Sequence, residues 1–485
     1  MGELKQKTVN GVAWNTINTV STLAVQFIVG IILARILLPS DYGAVAMVTV
    51  FTSILTMFTD GGLTTAIIRK ENRTEEDKCT IFYYNIVASY AMYGLLYVVA
   101  PFIADFYDLP SLCSLTRIST LGLLIAPFTS IQALHFTINL DFKTPAYINI
   151  FCAVASAIIA IWMAYNGFGV YALAVPTVLA TALRVIIVIW IVRWWPTTGF
   201  SMTSFKELFG YSSKLLASWM LDRIYNNITP LIVGKFFSAA QLGLYERARG
   251  WPKIPSETLT GVLQSVTFPV LSKMQHDTQY LAFNYRRIIR LAAFVIFPLL
   301  VGLAATARPL TIILVTEKWL DSVLLMQLIC LTVMWYPIHA INLNLLTVTG
   351  RSDYFLKVEV IKKVWGLIVM CAALPFGLVA FCAAGIASAY VSLFINTWYT
   401  KEIIGYGFKE QLRDLLPFLF NNLAMGAICL LVQMPFESNG IKLLVGIPVA
   451  VAYYIISSSY VHKEQFNELL EILASKIKIN HHTIR

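Results

Sequence analysis

Charged side chains are scarce in this chain. They make up 13% of its 485 residues, whereas 58% are hydrophobic and the mean hydropathy is +0.71. Soluble proteins carry about 25% charged residues, and no stretch here is long and polar enough to form a soluble domain. The scarcity of charge therefore excludes an ordinary soluble protein and predicts an integral membrane protein.

Motifs of soluble catalysis are also missing. The chain contains no phosphate loop of the GxxxxGK type, no GxGxxG after a strand and no HExxH. Its seven cysteines lie mostly in apolar runs without a CxxC pair, so neither a disulfide framework nor a zinc site is indicated. His135 and His339 stand alone on apolar segments, and we interpret them as packing residues and not as proton relays. We predict a protein that is not an enzyme and has no cofactor.

The chain instead contains apolar runs about 20 residues long, the length of helix that crosses the hydrocarbon core. The first run, Val12 to Leu38, is long enough to span and is predicted to be a retained helix. Fourteen spans are predicted, beginning near Val12, Tyr42, Thr80, Ser114, Ala146, Phe168, Ser213, Gln241, Ile288, Ser322, Phe355, Gly377, Leu415 and Ile441. The predicted fold class is an all-α integral membrane protein.

The net charge of +10 comes from cations that lie mostly in alternate turns. This distribution argues against nucleic acid as a partner. It places the N-terminus in the cytoplasm, because loops rich in Lys and Arg stay on that side. An even number of spans then leaves the basic tail, residues 463–485, in the cytoplasm as well. This tail, with Lys463, Lys476 and Lys478, is expected either to lie on the anionic inner leaflet or to be a solvated helix.

An internal repeat is visible at an offset of about 200 residues. It pairs Arg35 with Lys235, Gly43 with Gly243, Gly61 with Gly261, Leu63 with Leu263, Pro127 with Pro337 and Gln132 with Asn342. Both copies contain six spans of the same orientation. We therefore predict two six-helix bundles, residues 1–200 and 201–405, related by a pseudo-two-fold axis along the membrane normal. Residues 406–462 are expected to add two further helices.

Polar side chains inside hydrocarbon are costly, so spans that carry them should face water or one another. Spans one, two, seven and eight are the richest in such residues. We predict that they enclose a hydrated cavity between the two halves. Its polar lining is predicted to include Asn15, Asn18, Gln26, Asn226 and Gln264.

The predicted cavity is mixed in charge but mainly cationic. Its cations are predicted to be Arg249, Lys253, Arg247 and Arg223, with Arg35 and Lys235 at equivalent helix ends guarding the outer mouth. Guanidinium groups match phosphate oxygens with paired hydrogen bonds, so an anionic phosphate ligand fits this lining. Two alternatives stay open. Acids and bases three or four residues apart, such as Glu246 and Arg249, could neutralise each other, or Tyr245 to Pro255 could form an external loop.

Four short motifs carry a family resemblance. They are Lys7 to Trp14, Leu33 to Gly43, Asp60 to Leu63 and Leu242 to Ala248. Through them the chain resembles the Wzx-type polysaccharide flippases (O-antigen and colanic-acid-like) of the MOP (multidrug, oligosaccharidyl-lipid, polysaccharide) exporter superfamily. The resemblance covers nearly the whole chain and implies a MATE-like fold in the bacterial inner membrane. It also implies flipping of undecaprenyl-pyrophosphate-linked oligosaccharides from the cytoplasmic to the periplasmic leaflet by alternating access.

The resemblance further implies coupling to an H⁺ or Na⁺ gradient, for which the candidate residues are Asp60, Asp222, Glu246 and Glu257. The implied partners are the polyprenyl-pyrophosphate-linked oligosaccharide, membrane lipids and the polysaccharide polymerase machinery. Two other functions are weighed. A drug or cation antiporter of the same superfamily would prefer an acidic cavity, and a membrane polysaccharide polymerase or ligase usually needs a large external loop. The cationic lining and the short outer turns disfavour both.

Overall fold

The computed structural model describes residues 2–482, and within that range it leaves out the side chains of 2–9, 215, 352, 472, 473 and 475–482. Lys476 and Lys478 of the predicted basic tail thus lie outside the described side chains. The α-helices are α1 (Gly2–Ile36), α2 (Pro39–Asp60), α3 (Leu63–Arg69), α4 (Glu75–Phe106), α5 (Ser111–Ser119), α6 (Gly122–Ile125), α7 (Ser130–Ile138), α8 (Lys143–Tyr165), α9 (Tyr171–Val192), α10 (Met202–Phe236), α11 (Ala239–Ser272), α12 (Thr278–Val315), α13 (Ser322–Val333), α14 (Tyr336–Val348), α15 (Ser352–Ala373), α16 (Gly377–Ile404), α17 (Phe408–Gln433), α18 (Asn439–Val461) and α19 (Lys463–His482). Short 3₁₀ turns occupy Ala126–Thr129, Glu317–Trp319 and Leu374–Phe376. The described part of the chain is all-α, as predicted.

Helices lie at the positions of the fourteen predicted spans. Eleven stretches of the described chain are long and apolar enough to cross a membrane, and one of them, Asp353–Ile404, contains two successive helices. Helices α10 and α11, at the positions of the predicted spans seven and eight, are not among these stretches, so their crossing of the membrane stays a prediction. Because α11 is helical throughout, the stretch from Tyr245 to Pro255 is not a loop.

Three spans are interrupted within their length. Between α2 and α3, Gly61 and Gly62 adopt φ of +57° and +76°, a conformation that glycine adopts without steric cost. The fourth span breaks at the 3₁₀ turn containing Pro127, and the tenth breaks just before Pro337. Proline lacks an N–H and disrupts a continuous helix, so the matched prolines explain the matched breaks.

The structure repeats with the predicted offset at the first interhelical corner. Helix α1 ends at Ile36 and α10 ends at Phe236, while α2 begins at Pro39 and α11 begins at Ala239. The two corners also contact each other reciprocally. A Cβ atom on Gly43 would lie 1.7 Å from the Ala239 carbonyl oxygen, and one on Gly243 would lie 1.8 Å from the Pro39 carbonyl oxygen. A local two-fold between equivalent segments produces such a reciprocal contact.

The chain forms two compact units, Met1–Gly243 and Leu244–Arg485. In the first, α1 packs on α8, α8 on α9, and α2 on both α4 and α10. In the second, α12 is central and packs against α13, α17 and α18. The predicted boundaries at 200, 405 and 462 concern the repeat copies and stay predictions, whereas the compact units divide near the start of α11.

A buried carboxylate joins α12 to α17 in the second unit. The side chain of Asp414 is 4% exposed and accepts hydrogen bonds from both Arg286 and Arg290, the latter at 2.8 Å. The hydroxyl of Tyr406 donates to the same carboxylate at 2.7 Å. Arg286, Arg290 and Tyr406 all donate hydrogen bonds to this carboxylate, which is negatively charged and accepts all of them. This network should therefore stabilise the fold.

We expect Asp414→Asn to lower the free energy of unfolding by about 2–3 kcal/mol. Removing one partner of a buried ion pair typically costs about 3–5 kcal/mol, and the partial exposure of both arginines reduces that figure. The midpoint of thermal unfolding of the purified protein measures the effect. Glu437→Gln, the same charge change at an exposed position, is the control. Equal midpoints for the two variants would contradict a stabilising role for Asp414.

Candidate substrate-binding surfaces

The polar face of α1 forms one wall of a cavity inside the first unit. This cavity has a volume of about 670 Å³ and lies between α1, α8 and α9. Its polar lining consists of Asn18, Thr19, Thr22, Gln26, Tyr42, Asn149, Ser156, Thr177, Thr181 and Arg184. The structure thus places the predicted residues Asn18 and Gln26 in one cavity, whereas Asn15 is exposed outside its lining. Spans five and six supply the other walls and span two contributes Tyr42, whereas spans one, two, seven and eight were predicted to surround the cavity.

Two oxygens at this wall lack hydrogen-bond donors. Asn18 Oδ1 and Thr22 Oγ1 are buried and have no partner among the described residues. Most buried polar atoms in proteins are hydrogen-bonded, so each exception calls for an explanation. A polar ligand that donates hydrogen bonds, such as a sugar hydroxyl, would supply the partner.

Arg184 is the cation of this cavity. It lies on α9, whose sequence is otherwise almost entirely apolar. Ionisable residues inside membrane spans are rare and commonly mark a ligand pathway. The sequence shows this signal as a single charge in the sixth span, but a lone residue does not reveal that Asn149 and Ser156 of α8 face the same space.

The charged stripe of α11 belongs to the second unit. Arg249 lies 3.8 Å from Glu246, and Lys253 lies 3.5 Å from Glu257. These pairs match the alternative in which neighbouring acids and bases neutralise each other. The four side chains nevertheless stay between 29% and 59% exposed, so each base can still reach a ligand.

Two other predicted cations contact aromatic rings. The Arg247 guanidinium lies 5.0 Å from the Trp251 ring and 5.7 Å from the Trp319 ring. Lys235 donates a hydrogen bond to the Phe106 carbonyl oxygen, lies 4.7 Å from the Phe106 ring and is 3.6 Å from Asp108. Lys235 therefore fastens the end of α10 to the end of α4, both within the first unit.

The remaining predicted residues are spread along their helices. Exposed positions hold Arg35, Asp222, Arg223, Asn226 and Gln264. Asp60 occupies the break between α2 and α3, where it accepts hydrogen bonds from the Thr64 hydroxyl and, at 3.3 Å, from the Thr64 backbone N–H. Asp60 thus accepts from one of the free backbone N–H groups in the first turn of α3, whose N-cap residue is Gly62. The roles of these six residues in binding or coupling stay predictions.

A second polar group in the second unit has no counterpart in the predicted site. His339 Nδ1 lies 3.1 Å from Asn396 Nδ2, while His339 Nε2 and Asn396 Oδ1 are buried without a partner among the described residues. Glu359 and Lys362 form an ion pair on α15 and are 25% and 14% exposed. The hydrogen bond agrees with the interpretation of His339 as a packing residue.

Among the described residues, no three His, Cys, Asp or Glu side chains come together as a metal site would require.

Comparisons with known proteins give the family. The profile described as "Polysaccharide biosynthesis protein" matches residues 32–324. The chain is 25% identical over 467 residues to the teichuronic acid biosynthesis protein TuaB of Bacillus subtilis, covering 93% of this chain and 94% of that one. It is 22% identical over 428 residues to the lipopolysaccharide biosynthesis protein WzxC of Escherichia coli, covering 86% and 85%.

Solved structures give the fold. The chain matches the lipid II flippase MurJ in its inward closed conformation with a TM-score of 0.73 and 14% identity, over 93% of this chain and 99% of that one. It matches an inward-facing multidrug resistance MATE transporter of the MOP superfamily with a TM-score of 0.56 and 14% identity, over 81% and 98%. The predicted MATE-like fold is confirmed. Since the profile covers more than half of the sequence, this multi-pass membrane protein belongs to the polysaccharide biosynthesis protein family.

Proposed function

We propose that this protein flips a polyprenyl-pyrophosphate-linked oligosaccharide from the inner to the outer leaflet of the bacterial inner membrane, with both termini in the cytoplasm. The observation that carries the proposal is the cavity of the first unit, which is lined both by a lone arginine and by unpartnered amide and hydroxyl oxygens. Relatives named for teichuronic acid and lipopolysaccharide biosynthesis, and a fold shared with a lipid II flippase, support it.

Each unit offers one surface for this substrate. In the first unit, we assign the pyrophosphate to Arg184 and the sugar hydroxyls to Asn18, Thr22 and Gln26. In the second unit, we assign the pyrophosphate to Arg249 and Lys253. Arginine binds phosphate oxygens bidentately, and a low local dielectric strengthens the attraction. The lipid tail stays in the bilayer while the head group passes through the hydrated interior during alternating access.

The acid beside each base suggests how an ion gradient would act. Glu246 lies 3.8 Å from Arg249 and competes with a phosphate for it. A proton or Na⁺ bound at Glu246 would remove that competition and leave Arg249 available to the substrate. We propose the same role for Glu257 beside Lys253, with Asp60 and Asp222 as further candidates.

A drug or cation antiporter of the same superfamily is the competing function. Cationic substrates require acidic side chains in their site. Within the described lining of the first cavity, the charged residue is Arg184 and no carboxylate is present. The charge of this surface therefore favours an anionic substrate.

Reconstitution tests the proposed function directly. In proteoliposomes that contain a fluorescent polyprenyl-pyrophosphate sugar, we expect a membrane-impermeant quencher to reach the label in both leaflets, whereas protein-free liposomes keep about half of it protected. A polyprenyl-linked sugar without phosphate is the matched substrate control and should remain protected. If the same fraction of the label stays protected from the quencher with and without the protein, in an H⁺ gradient and in a Na⁺ gradient, the proposed flipping would be refuted. Uptake of a cationic dye in its place would favour the antiporter.

A further inference from the structure

A second basic cavity lies at one end of the second unit. It has a volume of about 620 Å³ and is bounded by the N-terminal halves of α12 and α17, the last turn of α18 and the first turn of α19. Drug-sized and cofactor pockets have volumes of about 300–1,000 Å³, so this space can hold a small head group. The predicted orientation places this end at the cytoplasmic leaflet.

The charge of its lining favours an anion. Arg286, Arg290, Arg413 and Lys463 line the cavity, against the two acids Asp414 and Glu464. Asp414 is already satisfied by Arg286 and Arg290, and Glu464, 4.0 Å from Arg290, has a side chain that is 85% exposed. The cations therefore exceed the acids by two, and Arg413 and Lys463 are exposed towards a ligand.

A buried imidazole provides an independent sign of a ligand. His462 is 5% exposed, lines the cavity and stacks on Phe418 with ring centroids 4.0 Å apart. Burial lowers the pKa of His462, although a hydrogen bond to the Pro417 carbonyl opposes the shift. The ring is therefore neutral at pH 7. Its Nε2 has no partner among the described residues, so a hydrogen-bond donor is missing at this point of the wall.

Helix α19 contributes its N-terminus. Lys463, Glu464 and Gln465 form its first turn and line the cavity. The first backbone N–H groups of a helix lack intrahelical acceptors and favour anions. Ion pairs hold the first two turns of α19 in place, because Arg287 contacts Glu468 at 2.8 Å and Arg290 contacts Glu464.

The mouth of the cavity suits a lipid. Tyr460 is 83% exposed and Val461 is 61% exposed at the end of α18, and tyrosine is enriched at the membrane interface. Ile456, four residues before Tyr460, is 60% exposed on the same helical face. Acyl chains can therefore lie along α18 while the head group enters the cavity.

We infer that this cavity binds the head group of an anionic phospholipid of the inner leaflet, with the phosphodiester at Arg413, Lys463 and the start of α19 and a head-group hydroxyl donating to His462 Nε2. Phosphatidylglycerol has this chemistry. The site is separate from the surfaces assigned to the transported substrate. It would fasten α19 to α12 and α17 when the membrane is anionic.

Native mass spectrometry of the purified full chain tests this site with phosphatidylglycerol as the probe. We expect the wild-type protein to retain it in preference to phosphatidylethanolamine. The double variant Arg413→Gln/Lys463→Gln should bind it about tenfold to thirtyfold more weakly, since each cation near an anionic lipid contributes to binding. His462→Phe, which keeps the stack on Phe418, should weaken binding several-fold without changing the net charge.

The matched control is Lys273→Gln/Lys409→Gln, which removes two exposed cations on the same predicted side, outside the cavity. It should retain phosphatidylglycerol within about twofold of the wild type. Equal losses in both double variants would overturn the proposal, because a diffuse surface potential would then explain the binding. Displacement of the lipid by millimolar inorganic phosphate would also overturn it, in favour of a site for free phosphate.

Discussion

Gly43→Ala should prevent the protein from accumulating in a folded state. The added Cβ would lie 1.7 Å from a backbone oxygen, that of Ala239, and no rotamer change can relieve such a contact. The helix corners must separate, which we expect to lower the free energy of unfolding by about 4 kcal/mol or more. Gly243→Ala should behave alike, because its Cβ would lie 1.8 Å from the Pro39 oxygen. Monodisperse protein recovered from the membrane, measured by fluorescence-detected size exclusion, reports the loss.

Gly250→Ala is the matched control for both substitutions. Gly250 lies in α11, two turns beyond Gly243, and a Cβ there would meet no atom within 4 Å. Alanine has a higher helix propensity than glycine, so this variant should be at least as stable as the wild type. Wild-type yield and thermal midpoint for Gly43→Ala would show that the two corners do not pack as described.

The second large effect concerns transport. We expect Arg249→Gln/Lys253→Gln to reduce flipping at least about a hundredfold while the protein stays folded in the membrane. Each charge-assisted hydrogen bond to phosphate is worth about 1.5–3 kcal/mol, and two such bases are lost. The rate of label exchange between leaflets in proteoliposomes measures the effect, with surface polysaccharide as a readout in cells.

A charge-balanced variant separates phosphate binding from simple ion pairing. If Arg249 only neutralises Glu246, then Glu246→Gln/Arg249→Gln should restore transport, because neither charge would be left alone. If Arg249 binds the substrate, this double variant should be as inactive as Arg249→Gln. Recovery of wild-type flipping in the balanced variant would remove Arg249 from the binding surface. The analogous pair, Lys253 and Glu257, provides an independent repetition.

The fold could be predicted from the sequence because it depends on hydropathy and on the positions of glycine and proline. Apolar runs of membrane length predicted the positions of the spans, and matched glycines and prolines predicted the offset of the repeat. The breaks near Pro127 and Pro337 were not predicted and come from the structure. The ends of helices that extend beyond an apolar run were harder to predict. Spans seven and nine begin about ten residues before the predicted Ser213 and Ile288, since polar residues continue a helix in water without any hydropathy signal.

The candidate surfaces could be predicted only in part. Asn18 and Gln26 follow helical periodicity, so a single helix shows that they share a face. That Asn149 and Ser156 of α8 face the same cavity as Arg184 could not be found in this way, because the relative placement of helices depends on packing. Likewise, the sequence separates His339 from Asn396 by more than fifty residues, and only the tertiary structure brings the two side chains together.

The interrupted tenth span has an electrostatic consequence. The break between α13 and α14 lies near the middle of a stretch of 27 residues and creates one carbonyl end and one amide end there. Ser256 of α11 donates to the Val333 carbonyl at 2.7 Å and so satisfies one of the freed groups. A helix end carries about half an elementary charge. A migrating anion would therefore respond to fixed peptide dipoles inside the second unit as well as to ionised side chains.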